Sequence, residues 1–381
     1  MMNKKYGSIL LIAGTAIGAV TLALPISMSE LGFFGTIILY SICWLFMYWS
    51  GLILCEVCLT QPSGTSFVTL AEQTMGHYGR QLSWCSYGLL LITLLMAYFN
   101  GLSTLINFNN IFFDQNIVGT SLVALMVWLI LVMGTEFIDA LNRLMIYVLS
   151  IVILIMLLML SVRMQWSNWL VAPINFHEMA YLLPLVVTGF GFQVVIPSIR
   201  GYLDKEKSSM SDVILVGSLL PLGLYVVWTT GLLTGLDHAE VFEIINHQDD
   251  ALALNVLLHD IMNKALVNSF VFAAIVSSLL GVSLSLADFL SDAFKKQLDW
   301  KISGLTVFVP WLLVNLIPAA FVEILRFGGL FVAVLNIFIP CVMLLILRKN
   351  NKIKTVMAPN NTIVGIVLIF SLIVMITEFI Y

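Results

Sequence analysis

Apolar residues run through this chain in long blocks separated by short polar intervals, with neither the alternation of half-buried strands nor the single stripe of a surface helix. A block of about 17–25 apolar residues is long enough to cross a bilayer as a helix. Eleven such spans are predicted, at roughly 6–28, 33–55, 83–106, 118–133, 142–162, 180–198, 212–233, 265–290, 304–320, 327–347 and 361–379. The first follows Lys4 and Lys5, as the core of a signal peptide would, but it leads directly into a second span and is read as retained.

Two spans are interrupted where an unbroken helix would leave no backbone group unpaired. The first holds GTAIGAVTLALP, from Gly14 to Pro25, and the sixth holds GFGFQ, from Gly189 to Gln193, followed by Pro197. Irregular backbone at membrane depth survives only where it is buried in protein or lines a cavity. Glycines also let helices pack closely, which is the plainer reading of any one such pair. Paired interruptions half a chain apart point instead to the binding site of a secondary transporter.

The composition agrees: 381 residues, 60% hydrophobic and only 10% charged, lie outside the soluble globular range. The sparse charges set an orientation. With the N-terminus inside, fourteen lysines and arginines fall on inner loops and only Arg163, Lys264 and Arg326 on outer ones, as the positive-inside rule requires. The C-terminus is then extracytoplasmic. Spans 1 and 6 enter from opposite sides, so residues 1–162 and 163–347 read as inverted five-helix repeats, with 348–381 adding an inner loop and an eleventh span. The outer loop at 234–263 is acidic at first, with Asp237, Glu240, Glu243, Asp249 and Asp250. It then places Leu254, Leu257, Leu258, Ile261 and Met262 at helical spacing, as a lid or as a simple cover over the span ends.

Helix ends exposed by such breaks suit a zwitterion: amides attract a carboxylate, and free carbonyls take an ammonium or a cation. The carboxylate is assigned to the amides around Gly18 and Ala19 with Thr15 as a hydroxyl partner, and the ammonium to carbonyls near Ala13 and Thr188. Gly14, Ala16, Gly189 and Gly191 complete the two breaks. Phe190, Phe192 and Gln193 at the second break, with Tyr98 and Asn100 in span 3, furnish walls for a large flat side chain. Asn100 and Gln193 are the candidate partners of a phenol.

GTAIGAVTLALP, FGFQVVIPSIRGYLD, the pair Asn142–Arg143 opening span 5 and SSLLGVSLSLADFLSDAF in span 8 together resemble the hydroxy and aromatic amino acid permease family, above all its tyrosine and tryptophan permeases. The likeness extends over nearly the whole chain. It implies an all-α integral membrane protein of the leucine-transporter type, with eleven transmembrane helices of which 1 and 6 are broken. It also implies a bacterial inner-membrane location and ion-driven uptake of aromatic amino acids. Three positions depart from the pattern: Val20 replaces a glycine after the first break, Gln193 a histidine and Leu149 a lysine.

The last two departures remove titratable groups and leave few candidates for ion coupling. Glu56 and Asp288 are acids near the inner ends of spans 2 and 8, where ordinary hydration or an ion pair is the competing reading. Ser277 and Ser278 match the place where sodium-coupled relatives put two hydroxyls, with carbonyls of the first break such as Ala13 completing an oxygen site. Serine in a membrane helix also commonly bonds its own backbone.

An enzyme would need a convergent acid, base or metal cluster. The five histidines lie in or beside loops without ligand spacing, and Cys55 and Cys58 read as small apolar residues one turn apart. No cofactor, bound metal beyond a sodium ion, or nucleic-acid partner is expected, and a monomer in the lipid bilayer suffices. The chain therefore reads as a symporter importing tyrosine ahead of tryptophan or phenylalanine, with the proton placed ahead of sodium. A serine or threonine permease, or a facilitator without ion coupling, is the alternative.

Overall fold

The computed structural model describes residues 4–62, 65–105, 115–162, 174–203, 210–235, 258, 262–296, 298–317, 319–351 and 357–381. Every regular element among them is helical. Among the described residues eight helical stretches are long and apolar enough to cross a membrane, and Ile117–Val132 and Trp300–Leu316 are apolar but shorter.

The first expected span is two helices, α1 (Lys4–Ala16) and α2 (Val20–Ser27). Then come α3 (Gly32–Cys58), α4 (Phe67–Leu105), α5 (Gln115–Val132) and α6 (Thr135–Ser161). The sixth span is again two helices, α7 (Phe176–Gly189) and α8 (Ile196–Tyr202), joined through a 3₁₀ turn at Gln193–Val195. Next are α9 (Met210–Gly235), α10 (Lys264–Phe294) and α11 (Trp300–Leu316). The tenth span is α12 (Phe321–Val332), a π-helical segment (Ala333–Phe338) and α13 (Ile339–Lys349), and α14 (Asn361–Ile380) closes the chain.

Short polar residues fix several helix starts by accepting from otherwise unpaired amides of the first turn. Asn175 accepts from His177 and Glu178, Asn263 from Ala265, Asp299 from Lys301 and Ile302, and Asn360 from Ile363. Helix α4 begins well before the expected span at residue 83 and bends at Gly76, whose φ of 73° lies in the region that favours glycine. Close approach uses glycine as well. A Cβ on Gly329 of α12 would collide with the carbonyl oxygen of Pro184 in α7, so these helices meet only because Gly329 has none.

Helix α10 lies at the centre of the packing, against α4 and α6, while α1 packs on α9 and α12 on both α4 and α7. Tyr40, Phe190, Phe192, Tyr225, Trp228 and Phe270 are fully buried near the two interruptions. Arg326, expected in an outer loop, lies instead within α12. There it is buried, pairs with Glu378 at 3.7 Å and covers the Tyr181 ring at 4.3 Å. Most of the loop expected at 234–263 lies outside the described residues. Of its apolar positions, Leu258 and Met262 are described; both are buried, and the Met262 amide donates to the Leu258 carbonyl at 2.8 Å.

Candidate functional site

The first interruption is Ile17–Ala19. Ile17 still donates to Ala13 at 2.9 Å, after which the ladder stops, and Thr21 and Leu22 resume it by donating to Gly18 and Ala19 at 3.0 Å. The Ala19 amide donates across to Ser278 Oγ of α10 at 3.1 Å. Among the described residues the Gly18 amide donates to nothing. The second interruption is Phe190–Phe192, where the ladder degenerates into short turns: Phe190 to Val187 and Gly191 to Thr188, both 3.2 Å. Thr188 folds its hydroxyl back onto Pro184 at 3.0 Å and Leu325 at 3.3 Å.

Tyr225 of α9 joins the two. Its hydroxyl lies 2.7 Å from the Ala16 carbonyl, where α1 ends, and 2.9 Å from the Gly189 carbonyl, where α7 ends. A phenol has one proton, so it donates to one of these carbonyls at a time. Two helix C-termini, each with the negative end of a helix dipole, thus converge with capacity left to accept. The start of α2 presents the opposite polarity beside them. Phe190 meets the Tyr225 ring edge-on at 5.3 Å, Trp228 Nε1 donates to the Thr21 carbonyl at 3.0 Å, and Tyr40 shares a hydrogen bond of 2.9 Å with Thr229. Tyr98 lies beside Ser278. The arrangement holds dipoles and aromatic walls rather than formal charge, which suits a zwitterion with an apolar body.

The structure distributes the sequence candidates unevenly. Ala16, Gly18, Ala19, Tyr98, Gly189, Phe190 and Ser278 come together around Tyr225. Gly14 and Thr15 are exposed, and the Thr15 hydroxyl donates to Leu11 of its own helix at 2.7 Å. The Ala13 and Thr188 carbonyls, expected to take an ammonium, already accept from Ile17 and Gly191; the carbonyls turned toward the tyrosine belong to Ala16 and Gly189. Asn100 donates to Ala319 at 2.6 Å, tying α4 to the start of α12. Phe192 packs against Gly51 of α3, and Gln193 donates to the Met47 carbonyl at 3.0 Å.

Both serines of α10 donate to the Ala274 carbonyl, at 3.2 Å for Ser277 and 3.1 Å for Ser278. Ser278 therefore meets the first break as an acceptor. Glu56 is buried, with Arg348 at 3.3 Å and the Met357 and Ala358 amides at 3.2 and 2.6 Å, a latch between the end of α3 and the segment before α14. Asp288 is exposed in a cavity of about 1580 Å³ whose wall includes Tyr87, Val194, Pro197, Ser198 and Leu335, just past the second break. No group of histidines, cysteines or acids among the described residues could hold a metal.

Comparison with known proteins supplies the family. Residues 1–378 match the model of the tryptophan/tyrosine permease family. The chain belongs to that family. It is accordingly a multi-pass membrane permease, a transporter and not an enzyme. Tyrosine-specific transport system 1 of Haemophilus influenzae is 31% identical to this permease over 357 residues, covering 89% of this chain and 87% of the relative. Glutamine transporter 2 of Aliivibrio fischeri is 29% identical over 92% of this chain and 91% of its own. A tryptophan-specific transport protein of Pseudomonas aeruginosa is 27% identical over 90% and 86%.

Tyr225 and Trp228 escaped the sequence reading. Their signal is visible in hindsight: two polar-tipped aromatics three residues apart in the middle of span 7, where each hydroxyl or ring N–H must find a buried partner.

Proposed function

We propose that this permease imports an amino acid whose side chain is long and ends in a hydrogen-bond donor, tyrosine first, across the bacterial cytoplasmic membrane. The observation that carries the reading is the convergence of the Ala16 and Gly189 carbonyls on Tyr225. The substrate ammonium takes the free acceptor capacity there, and its carboxylate takes the Gly18 amide and the start of α2. Tyrosine, tryptophan and glutamine, the substrates in the relatives' names, all end in an O–H or N–H. The glutamine relative supports a second reading, a carrier of a carboxamide side chain in the same site.

Residues 1–162 and 163–347 act as inverted halves that rock about this site, with the N-terminus cytoplasmic and the C-terminus outside. The large cavity, on the side that carries Arg80 and Lys295, is then the route to the cytoplasm. Accumulation is driven by an ion, the proton ahead of sodium. Uptake of radiolabelled tyrosine, tryptophan and glutamine into proteoliposomes under separately imposed proton and sodium gradients tests all of this. Accumulation driven by neither gradient would reduce the protein to a facilitator.

A further inference from the structure

Two side-chain amides beside the second break carry oxygens without partners. Gln193 is 0% exposed and Asn336 2%, and neither Gln193 Oε1 nor Asn336 Oδ1 has a hydrogen bond among the described residues. Folded proteins avoid an unpaired buried carbonyl oxygen because the desolvation penalty is not recovered. Two such oxygens on residues at the second break each call for a donor. Their anchoring is specific. Gln193 donates its amide N–H to the Met47 carbonyl, so its oxygen faces away from that carbonyl. The Asn336 backbone carbonyl accepts from Ser50, one turn further along α3, which holds the two residues at neighbouring levels of one helix.

Asn336 belongs to the π-helical segment of the tenth span, and such turns re-aim side chains and recur at functional sites. Its amide nitrogen lies 3.5 Å from where a Cβ of Gly191 would stand, so the side chain reaches the break itself. On the other side, the sequence neighbours Val194 and Leu335 line the large cavity. The pair thus flanks the second break, each member next in sequence to a residue that lines the cavity.

We propose that Gln193 and Asn336 form a side-chain subsite, in which their amide oxygens accept from the O–H or N–H that ends the substrate's side chain. Substrates lacking that donor are rejected, because the buried oxygens then stay unpaired. The inference rests on the functional reading above and adds Asn336 as a specificity-determining residue.

The test uses the full-length protein in proteoliposomes, with tritiated tyrosine and with phenylalanine and O-methyltyrosine as competitors. In the unaltered protein tyrosine is expected to be preferred over both by about ten-fold or more. Equal competition by all three overturns the proposal without any variant. Asn336→Leu is expected to narrow the preference from both sides, lowering tyrosine uptake and raising phenylalanine uptake, because one of the oxygens that rejects phenylalanine is gone. A parallel loss of tyrosine and phenylalanine uptake, in protein that keeps its melting temperature, overturns it by reducing Asn336 to a structural role. If Asn336→Leu does not fold, the analogue comparison decides alone. If the unaltered protein takes up neither tyrosine, tryptophan nor glutamine, the functional reading has failed, and the subsite falls with it.

Discussion

Gly18 approaches Ser278 so closely that a Cβ on the glycine would lie 2.7 Å from the serine Oγ, while the serine Cβ would stay 3.9 Å away. The same Oγ accepts from the Ala19 amide, so the first break is docked on α10 through a contact that tolerates no side chain. Gly18→Ala is expected to destabilise the protein by about 1–3 kcal/mol through overpacking and to depress uptake. Adding Ser278→Ala removes the obstructing oxygen and should recover part of both. Melting curves in detergent and uptake in proteoliposomes measure this, and a double variant no better than Gly18→Ala would refute the steric account.

Tyr225→Phe keeps the ring against Phe190 and removes only the hydroxyl between the two helix ends. One buried carbonyl then loses its donor, a loss of about 1–3 kcal/mol. Because the hydroxyl also holds the two breaks in register, substrate affinity should fall further than stability does. Binding of labelled tyrosine to purified protein, read beside the melting temperature, separates the two effects; unchanged binding would remove Tyr225 from the site.

How much of this could be read in the sequence follows from what kind of signal each part leaves. Against eleven expected spans, eight stretches among the described residues are long and apolar enough to cross a membrane. The helical character and both interruptions were legible because hydropathy and the GTAIG and GFGFQ runs are local patterns. Tyr225 was not, because its role depends on two carbonyls brought from residues 209 and 36 positions away. Ser278 was singled out as an ion ligand from its place in span 8, yet its hydroxyl proton goes to Ala274 and its oxygen to Ala19. Gly14 and Gly18 look alike in sequence, but a Cβ at Gly14 would meet nothing within 4 Å. Spacing along a helix reports which residues share a face, not which neighbour that face meets.

Glu56 illustrates the same limit and yields a separate prediction. Its carboxylate is tied to Arg348 and to two backbone amides, and Arg348 also donates to Pro359 and to Asn361 at 2.8 and 2.9 Å. Removing one partner of a buried pair leaves an uncompensated charge, so Arg348→Leu should cost about 3–5 kcal/mol. A latch of this kind need not sense an ion. The ratio of uptake driven by a proton gradient to uptake driven by exchange should therefore be unchanged in Glu56→Gln, whatever happens to its melting temperature. A selective loss of the gradient-driven part would put Glu56 back among the coupling residues.

Asp288 is placed differently, and the last prediction turns on that difference. It is exposed on the wall of the large cavity, together with Asp292, Glu72, His77, Arg80 and Lys295, and no ion pair within 4.0 Å restrains it among the described residues. If the large cavity is the cytoplasmic route proposed above, a proton travelling to or from the site passes this carboxylate, whereas Glu56 is shut away behind Arg348. If the coupling ion is the proton and Asp288 relays it, Asp288→Asn should lose accumulation under a proton gradient and keep tyrosine exchange across the membrane, since exchange requires no net proton movement. Full accumulation in Asp288→Asn would count against the relay. Loss of exchange together with accumulation would show instead that the residue shapes the cavity through which substrate passes.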